Sequence, residues 1–316
     1  LDLGALLGDI TALVRNHGLA SNGVQLHVDN VERPFFAELD ARDDLAVSYN
    51  PMDAIGVEAA DALRNIRSGA FDVMSVQIGM ASRDEPFFEG IDLAGVTADL
   101  DQQREAVDAF RADFDARLQE RFNAKLMTLW PFGPQMMFCN GDINGADDLA
   151  GKKVRVFTPS MSRLVEGLGA VPVTLQFSEV YLALQQGTVD GQENPIPTIY
   201  SRKFYEVQDQ LVMSRHMLQS QVVLMNSQKF ESLSESHQEI LQEVVQELAQ
   251  ENYELQTERE GSMLEELRAG GNINVIEDID RASFEEAAVQ ARENLVDRWG
   301  EEDYRRVMTA IENYRN

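Results

Sequence analysis

The sequence predicts an α/β protein with mainly parallel sheets and helices on both of their faces. The alternation of elements favours this class, and the length and composition of the chain fit it. Short runs of β-forming residues alternate with amphipathic helical segments along most of the chain, which is the pattern of repeated β–α–β units. The 316 residues leave room for two domains with cores of their own. The 44% of hydrophobic and 26% of charged residues are typical of a globular protein.

The first half of the chain predicts an appendage followed by alternating strands and helices. Residues 1–23 are predicted to form an amphipathic helical appendage that ends at Ser21-Asn22-Gly23. The apolar periodicity beyond it predicts strands at 26–28, 45–49 and 71–79, helices at 57–69 and 100–122, and extended chain from 125 to 140.

The second half continues the alternation and ends with long helical segments. Ser178 is the predicted N-cap and Gly187 the C′ residue of a helix over 178–187, because serine and glycine favour these positions. The other predicted elements are strands at 152–158, 171–177, 188–194 and 221–226, a short helix at 161–168, and a Glu/Gln-rich helix or helix pair at 235–268.

The charge of the chain excludes two classes of partner. The chain contains 54 Asp and Glu against 27 Lys and Arg, a formal net charge of −27. Nucleic acid and anionic membranes attract basic surfaces, so neither is expected as a partner. Direct membrane insertion is not expected either, because no apolar run approaches the roughly 20 residues of a spanning helix. No signal peptide is recognisable, which fits a mature or trimmed form and leaves the location open.

The chain lacks the familiar motifs of catalysis. No HExxH, GxSxG, P-loop or GxGxxG pattern occurs in it. The four histidines are scattered, so each is expected to have a packing or surface role, and Cys139 is expected to be a buried, inert thiol. No catalytic residue, metal site or cofactor is therefore predicted, and an enzyme on this scaffold is only an alternative.

One stretch departs from the acidic character of the chain. Residues 151–165, GKKVRVFTPSMSRLV, contain four basic residues and no acidic one. In the strand predicted at 152–158, Lys153, Arg155 and Phe157 share one face and two valines share the other. Parallel strands of α/β domains are usually apolar on both faces, so an arginine near the carboxyl end of this strand is unusual.

The position of Arg155 predicts an anion beside it. Open α/β sheets bind ligands beyond the carboxyl ends of their strands. A buried guanidinium needs an anion, and its planar fork binds a carboxylate through two hydrogen bonds. That anion is either an internal Asp or Glu or an external ligand, and the absence of acids from 149–165 slightly favours the ligand.

Residues 147–226 carry a specific resemblance. The segments DDLAGKKVRV, GLGAVPVTLQFSEVYLALQQGTVDGQENP and KFYEVQDQLVMSRHMLQSQ follow one another in this chain. Their order and spacing are similar to those in the solute-binding proteins of TRAP (tripartite ATP-independent periplasmic) transporters. Weaker similarity runs back to about residue 24 and forward through the long helix. The chain therefore resembles this family, which includes dicarboxylate- and sialic-acid-binding types.

The resemblance implies a protein of the periplasm that binds a solute and catalyses nothing. It implies the periplasmic solute-binding-protein fold, in which a ligand cleft lies between two α/β domains and a long helix spans both. The expected domains are 24–132 plus 220–262 and 133–219 plus 263–316, with 1–23 outside them. The cleft closes on a small organic carboxylate, and the closed complex docks on the small and large membrane subunits of the transporter. A ligand-sensing module on the same scaffold is the alternative of another class.

The resemblance also assigns ligand contacts, residue by residue. Arg155 matches the family's arginine that forms the salt bridge to the ligand carboxylate, and Phe177 matches the aromatic residue that lines the pocket. Further polar contacts are expected at Asn194, Gln221, Gln77 and Asn30.

Gln135 is the informative departure from the family's pattern. Many dicarboxylate- and sialic-acid-binding members have a second arginine here, and glutamine cannot neutralise a second carboxylate. The surrounding WPFGPQMMF resembles a branch associated with aromatic or other hydrophobic monocarboxylates. The expected ligand is therefore an aromatic or hydrophobic monocarboxylate, benzoate-like or an aryl 2-oxo acid. A C4-dicarboxylate or a sugar acid is the alternative.

Overall fold

The structure is a computed structural model, and it describes residues 56–315 except 98, 272 and 294. The predicted appendage at 1–23, the strands at 26–28 and 45–49 and the candidate Asn30 lie outside the described residues. The strands of the described part are β1 (Val73–Gln77), β2 (Ala124–Pro134), β3 (Met136–Cys139), β4 (Lys153–Val156), β5 (Val171–Thr174), β6 (Gly191–Asn194), β7 (Gln210–Val212), β8 (Leu218–Asn226) and β9 (Asn274–Ile276). Its α-helices are α1 (Ala62–Ser68), α2 (Ile78–Ala81), α3 (Leu100–Phe122), α4 (Pro159–Gly167), α5 (Val180–Gln185), α6 (Ile196–Ser201), α7 (Ser227–Ser232), α8 (Glu235–Gly270), α9 (Arg281–Glu293), α10 (Val296–Trp299) and α11 (Glu301–Arg315).

The first sheet contains β1, β8 and β2 in that order, and both of these pairings are antiparallel. Residues of β8 alternate between its two faces. Val222 and Leu224 join a core that contains residues of α1 and α3, whereas Val223 and Met225 join a core with the first half of α8. The central strand is therefore covered on both sides.

The second sheet has the order β5-β4-β6-β3-β7-β9, and three of its five pairings are parallel. The predicted α/β class is confirmed. The chain crosses between the sheets at Gln135, which separates β2 from β3, and again in the segment 213–217 between β7 and β8. The two crossings are joined, because the Gln135 N–H donates to the Met217 carbonyl oxygen at 2.8 Å.

Helix α8 is a single element that packs against both sheets. Its first half places Leu241, Val244 and Leu248 in a core with the first sheet. Its second half places Leu264 and Leu267 in a core with the second sheet. The predicted long helix spanning both units is present.

The C-terminal helices also contact both units. Helix α9 packs Phe284 and Ala291 into the core that contains β4, whereas Trp299 and Val307 belong to the core of the first sheet. The domain prediction placed all of 263–316 in the second domain. The apolar side chains of the residues from 295 onward are buried in the core that contains residues of α3, and the domain boundaries stay a prediction.

The helix predicted at 178–187 begins differently from the prediction. A 3₁₀ turn, Phe177–Glu179, precedes α5, and Gln176 caps it in a capping box with Glu179. The prediction of Ser178 as N-cap was wrong, because the turn starts before it: the Glu179 N–H donates to the Gln176 carbonyl oxygen and the Gln176 N–H donates to the Glu179 carboxylate. Gly187 follows the helix with a φ of +67°, as expected for a C′ glycine.

Candidate functional site

Arg155 lies near the carboxyl end of β4, where open α/β sheets bind ligands. Strand β4 lies between β5 and β6, and Arg155 pairs with Val173 and Gln192. The residue is 2% exposed, and its Nε donates to the Leu175 carbonyl oxygen at 3.2 Å. No carboxylate of residues 56–315, as far as the structure describes them, lies within 4.0 Å of the guanidinium. The internal ion pair that the sequence left open is therefore not formed within the described part.

The Arg155 guanidinium remains a cation despite its burial. Burial lowers the pKa of Arg155 to about 10, and the negative charge of Glu193 offsets part of this change. Even so, the side chain is protonated at neutral pH. A buried cation with a single hydrogen bond among the described residues would be stabilised by an anion from outside.

Two aromatic rings flank this cation. The Arg155 Cζ lies 5.2 Å from the ring centroid of Phe157 and 5.6 Å from that of Phe177. The Phe177 ring also lies 4.8 Å from the Arg202 Cζ and stands edge-on to Phe204. The structure thus brings together Arg155 and Phe177, two of the residues predicted from the sequence. Phe157 was not among the predicted contacts.

Asn194 lies on the same face of the second sheet as Arg155. It ends β6, two residues beyond Gln192, which pairs with Arg155. Asn194 is 8% exposed, and its Nδ2 donates to the Gln192 Oε1. The Gln192 side chain therefore orients the amide of Asn194.

Gln221 and Gln77 lie together on the first sheet. They are paired residues of β8 and β1, and the Gln221 Nε2 donates to the Ser75 Oγ at 2.9 Å. Gln221 is buried and Gln77 is half-buried. No hydrogen bond of the described residues joins this pair to Arg155, so the predicted contacts form two separate groups. Asn30 lies outside the described residues.

Gln135 occupies the crossing between the two sheets. Its side chain is completely buried, and neither its Oε1 nor its Nε2 has a hydrogen-bond partner among the described residues. Buried amides are normally hydrogen-bonded to protein or to ordered water. A group bound at this crossing would therefore find an unused donor and acceptor.

A buried acid that was not predicted from the sequence lies next to the site. Glu193 follows Gln192 on β6 and projects to the opposite face, with Met137 as its paired residue. Its carboxylate is fully buried, and neither oxygen has a hydrogen-bond partner among residues 56–315 that the structure describes. Burial raises the pKa of Glu193 well above its usual range, and the charge of Arg155 offsets part of the rise. The three consecutive polar residues of GQEN gave no sign that all four residues of this strand are buried.

His216 lies beside this acid. Its Nε2 is 3.9 Å from the Glu193 Oε2, and its Nδ1 shares a hydrogen bond of 2.8 Å with the Ser214 Oγ. Burial lowers the pKa of His216 to about 4, so the ring is neutral above that pH and the contact is not an ion pair. The ring also stacks on Phe284, which agrees with the predicted packing role.

The described part offers no alternative chemical centre. Within it, no three His, Cys, Asp or Glu side chains converge to hold a metal ion, and no helix has the length and apolarity to cross a membrane. Burial raises the pKa of the Cys139 thiol to about 12, which fits its predicted inertness. A cavity of about 440 Å³ is lined by residues such as Thr97, Arg215 and Glu285, and by none of the predicted ligand contacts.

Comparison with known proteins places this architecture in a family. Residues 43–298 match the family model described as bacterial extracellular solute-binding protein, family 7. The sialic acid-binding periplasmic protein SiaP of Vibrio cholerae is 34% identical over 203 residues, which span 62% of this chain and 62% of that protein.

Solved structures share the fold. A TRAP periplasmic solute-binding protein from Sulfitobacter sp. with bound α-D-taluronate superposes with a TM-score of 0.77 at 25% identity, covering 89% of this chain and 92% of that one. DctP7, a Bordetella pertussis extracytoplasmic solute receptor binding pyroglutamic acid, gives a TM-score of 0.83 at 16% identity, covering 94% and 97%.

The chain belongs to family 7 of the bacterial extracellular solute-binding proteins. The resemblance found in the sequence is thereby confirmed, together with the expected fold and the location outside the cytoplasm. The family consists of solute-binding proteins rather than enzymes, which confirms the prediction of a binding role.

Proposed function

We propose that the protein captures a small organic carboxylate between its two sheets, holds it by a salt bridge to Arg155, and delivers it to a membrane permease. The observation that carries the proposal is the buried Arg155 cation, which has no carboxylate partner in the described part. A ligand carboxylate would neutralise this cation and accept two charge-assisted hydrogen bonds from its guanidinium.

The neighbouring residues have complementary roles in this proposal. Phe177 and Phe157 form apolar walls beside the carboxylate, and Asn194 contributes a polar contact from the same sheet. Gln77 and Gln221 would contact the ligand from the first sheet when the cleft closes, as would Asn30. Closure then buries the ligand between residues of the first sheet and residues of the second sheet.

An aromatic or hydrophobic monocarboxylate is the favoured ligand. Gln135 brings no charge to the crossing, so it would not neutralise a second carboxylate. Pyroglutamic acid, the ligand of DctP7, has a single carboxyl group. The taluronate bound by the Sulfitobacter protein supports a sugar acid as the second candidate, ahead of a C4-dicarboxylate.

The proposed partners are the small and large membrane subunits of a TRAP transporter. Their support is the family of the chain and its relatives from TRAP systems. A ligand-sensing protein would act without them. Genes for two membrane proteins next to the gene for this chain are expected for a transport role, and their absence would favour the sensing role.

A thermal-shift screen against small carboxylates tests the binding role. The panel contains benzoate, an aryl 2-oxo acid, pyroglutamate, a hexuronate, succinate and sialic acid. A ligand at 100 times its dissociation constant adds about 2.7 kcal/mol of stability, which raises the melting temperature by several degrees.

The matched control for this screen lies in the same basic segment. Arg155→Ala should lose the shift, whereas Arg163→Ala should keep it, because Arg163 is exposed and pairs with Glu166. A shift that survives in Arg155→Ala, or no shift with any acid of the panel, would contradict the proposed function.

A further inference from the structure

The buried acid next to Arg155 has no role in the binding scheme. Glu193 is 0% exposed, and both of its carboxylate oxygens lack a hydrogen-bond partner among the described residues. Arg155 pairs with Gln192, the residue before Glu193, so the two charges occupy neighbouring strands and opposite faces of one sheet. Each charge shifts the pKa of the other group, because both are shielded from water.

The other titratable side chains on the elements packed around Glu193 are neutral, bonded elsewhere or exposed to solvent. Strand β3 presents the Cys139 thiol, which stays protonated, and the segment before β8 presents the neutral His216. Helices α4 and α9 cover this face of the sheet. The buried Arg292 of α9 donates to the Ala94 carbonyl oxygen. The remaining charged residues of the two helices are exposed: Arg163, Glu166, Arg281, Glu285, Glu286 and Glu293.

We propose that Glu193, where it is ionised, is the counter-charge of Arg155 in the free protein and that it takes up a proton when a carboxylate binds to Arg155. This inference rests on the proposed function. Without ligand, the positive guanidinium stabilises the ionised form of Glu193. A bound carboxylate neutralises that field and leaves Glu193 as a buried anion without compensation, which is costly. One proton from solvent then converts the Glu193 carboxylate into a neutral acid.

The proton uptake gives ligand affinity a defined pH dependence. The pKa of Glu193 is higher in the complex than in the free protein, so the complex holds an additional proton at any pH between these two values. Affinity is therefore highest below this window and falls as the pH rises through it, by up to about tenfold per pH unit. Glu193→Gln mimics the neutral acid, and its affinity should not depend on pH in this window.

Isothermal titration calorimetry tests the linkage. The probes are benzoate, pyroglutamate and succinate, titrated between about pH 6 and about pH 8.5, where these acids are ionised and Arg155, with a pKa of about 10, stays protonated. Each pH is measured in two buffers with different ionisation enthalpies, since a difference in the observed heat reports the protons taken up. The proteins are the wild type, Glu193→Gln and the control Glu166→Gln, which changes an exposed glutamate paired with Arg163.

The wild type and Glu166→Gln should lose affinity with rising pH and take up as much as one proton. Glu193→Gln should show a constant dissociation constant, several-fold lower than that of the wild type at the alkaline end, and no proton uptake. A flat wild-type profile without uptake, or the same slope in Glu193→Gln, would overturn the inference.

Two further results separate the possible failures. Should Glu193→Gln not fold, His216→Asn decides, because the slope persists in this variant if Glu193 takes the proton and disappears if His216 does. Binding that requires Arg155 but shows no pH dependence contradicts this inference alone. No binding of any probe at any pH contradicts the proposed function itself, and the linkage with it.

Discussion

The side chain of Arg155 combines three properties that a lysine could not provide. It stays charged despite its burial, it keeps one donor on the Leu175 carbonyl oxygen, and its flat group lies against two phenyl rings. A guanidinium can do all this and still offer a fork to a carboxylate. The chemistry of the proposed site is therefore specific to arginine.

Arg155→Ala should reduce carboxylate affinity by on the order of 2–5 kcal/mol, roughly 30-fold to several-thousand-fold, because a ligand carboxylate would be buried without its partner. Arg155→Lys should recover little of this loss. Calorimetric titration of both variants measures the effect, and unchanged circular dichroism spectra would show that the fold is intact. Wild-type affinity in Arg155→Ala would remove this residue from the site.

Gln135→Arg should raise the affinity for dicarboxylates relative to monocarboxylates, because it adds a cation at the crossing between the sheets. The ratio of dissociation constants for succinate and benzoate measures the change. Gln135→Met is the uncharged control and should leave the ratio unaltered. A ratio that stays constant in Gln135→Arg would show that position 135 does not set specificity.

Individual residues of the site differ in how far the sequence could predict them. Arg155 stood out because a charge interrupts an apolar strand in a stretch without acids. Glu193 did not stand out, since its burial depends on strands β3 and β4 pairing on either side of β6, and these neighbours are distant in sequence. For the same reason His216 could be assigned a packing role, but its contact with Glu193 could not be foreseen.

Helices were easier to predict than strand partners. The helix at 100–122 and the start of the long helix carry local signals, such as the caps Asp99 and Ser234, and the structure has both. The strands predicted within the described part were also close to the observed ones, because alternation is local, whereas β7 and β9 were not predicted. The order β5-β4-β6-β3-β7-β9 was beyond reach, since it depends on long-range pairings.

Leu248→Ala should destabilise the protein by roughly 2–5 kcal/mol, because Leu248 is completely buried where α8 covers the first sheet. Leu182→Ala is the matched control on α5. Its side chain is 53% exposed, so we expect a loss below about 0.5 kcal/mol. Urea denaturation of the two variants measures the difference. Equal losses would contradict the packing of α8 described above.

At the scale of the whole molecule, the chain passes between the two sheets several times. Crossings occur at Gln135, at 213–217, along α8, and between α9 and α10. The domain boundaries remain a prediction, and the packing of Trp299 and Val307 favours assigning 295–315 to the first domain. Several parallel connections of this kind would act together as a hinge for cleft closure.

The pH dependence of stability should contain opposite contributions from two buried groups, Asp92 and His216. Burial raises the pKa of Asp92 from 3.8 to about 7, although hydrogen bonds from Ser220 and Gln103 offset part of the rise. The folded state thus keeps a proton that the unfolded chain loses, so this stabilisation is lost as pH rises from about 4 to about 7. His216, with a pKa lowered to about 4, stays neutral when folded and opposes this trend between 6.5 and 4.

Asp92→Asn should remove the pH-dependent contribution of Asp92 to stability and leave that of His216. Relative to the wild type, its free energy of unfolding should increase by up to about 4 kcal/mol between pH 4 and pH 8. Urea titrations at a series of pH values measure this difference. A difference that does not change with pH would contradict the assignment of a raised pKa to Asp92.

The central claim is that Arg155 binds the carboxylate of the solute, and the crystal structure of the complex with the tightest-binding acid of the panel tests it most directly. We predict that both carboxylate oxygens lie about 2.7–2.9 Å from the terminal nitrogens of Arg155, with Phe177 and Asn194 beside the ligand. A ligand whose carboxylate is bound elsewhere, while Arg155 retains only its contact with the Leu175 carbonyl oxygen, would contradict the account.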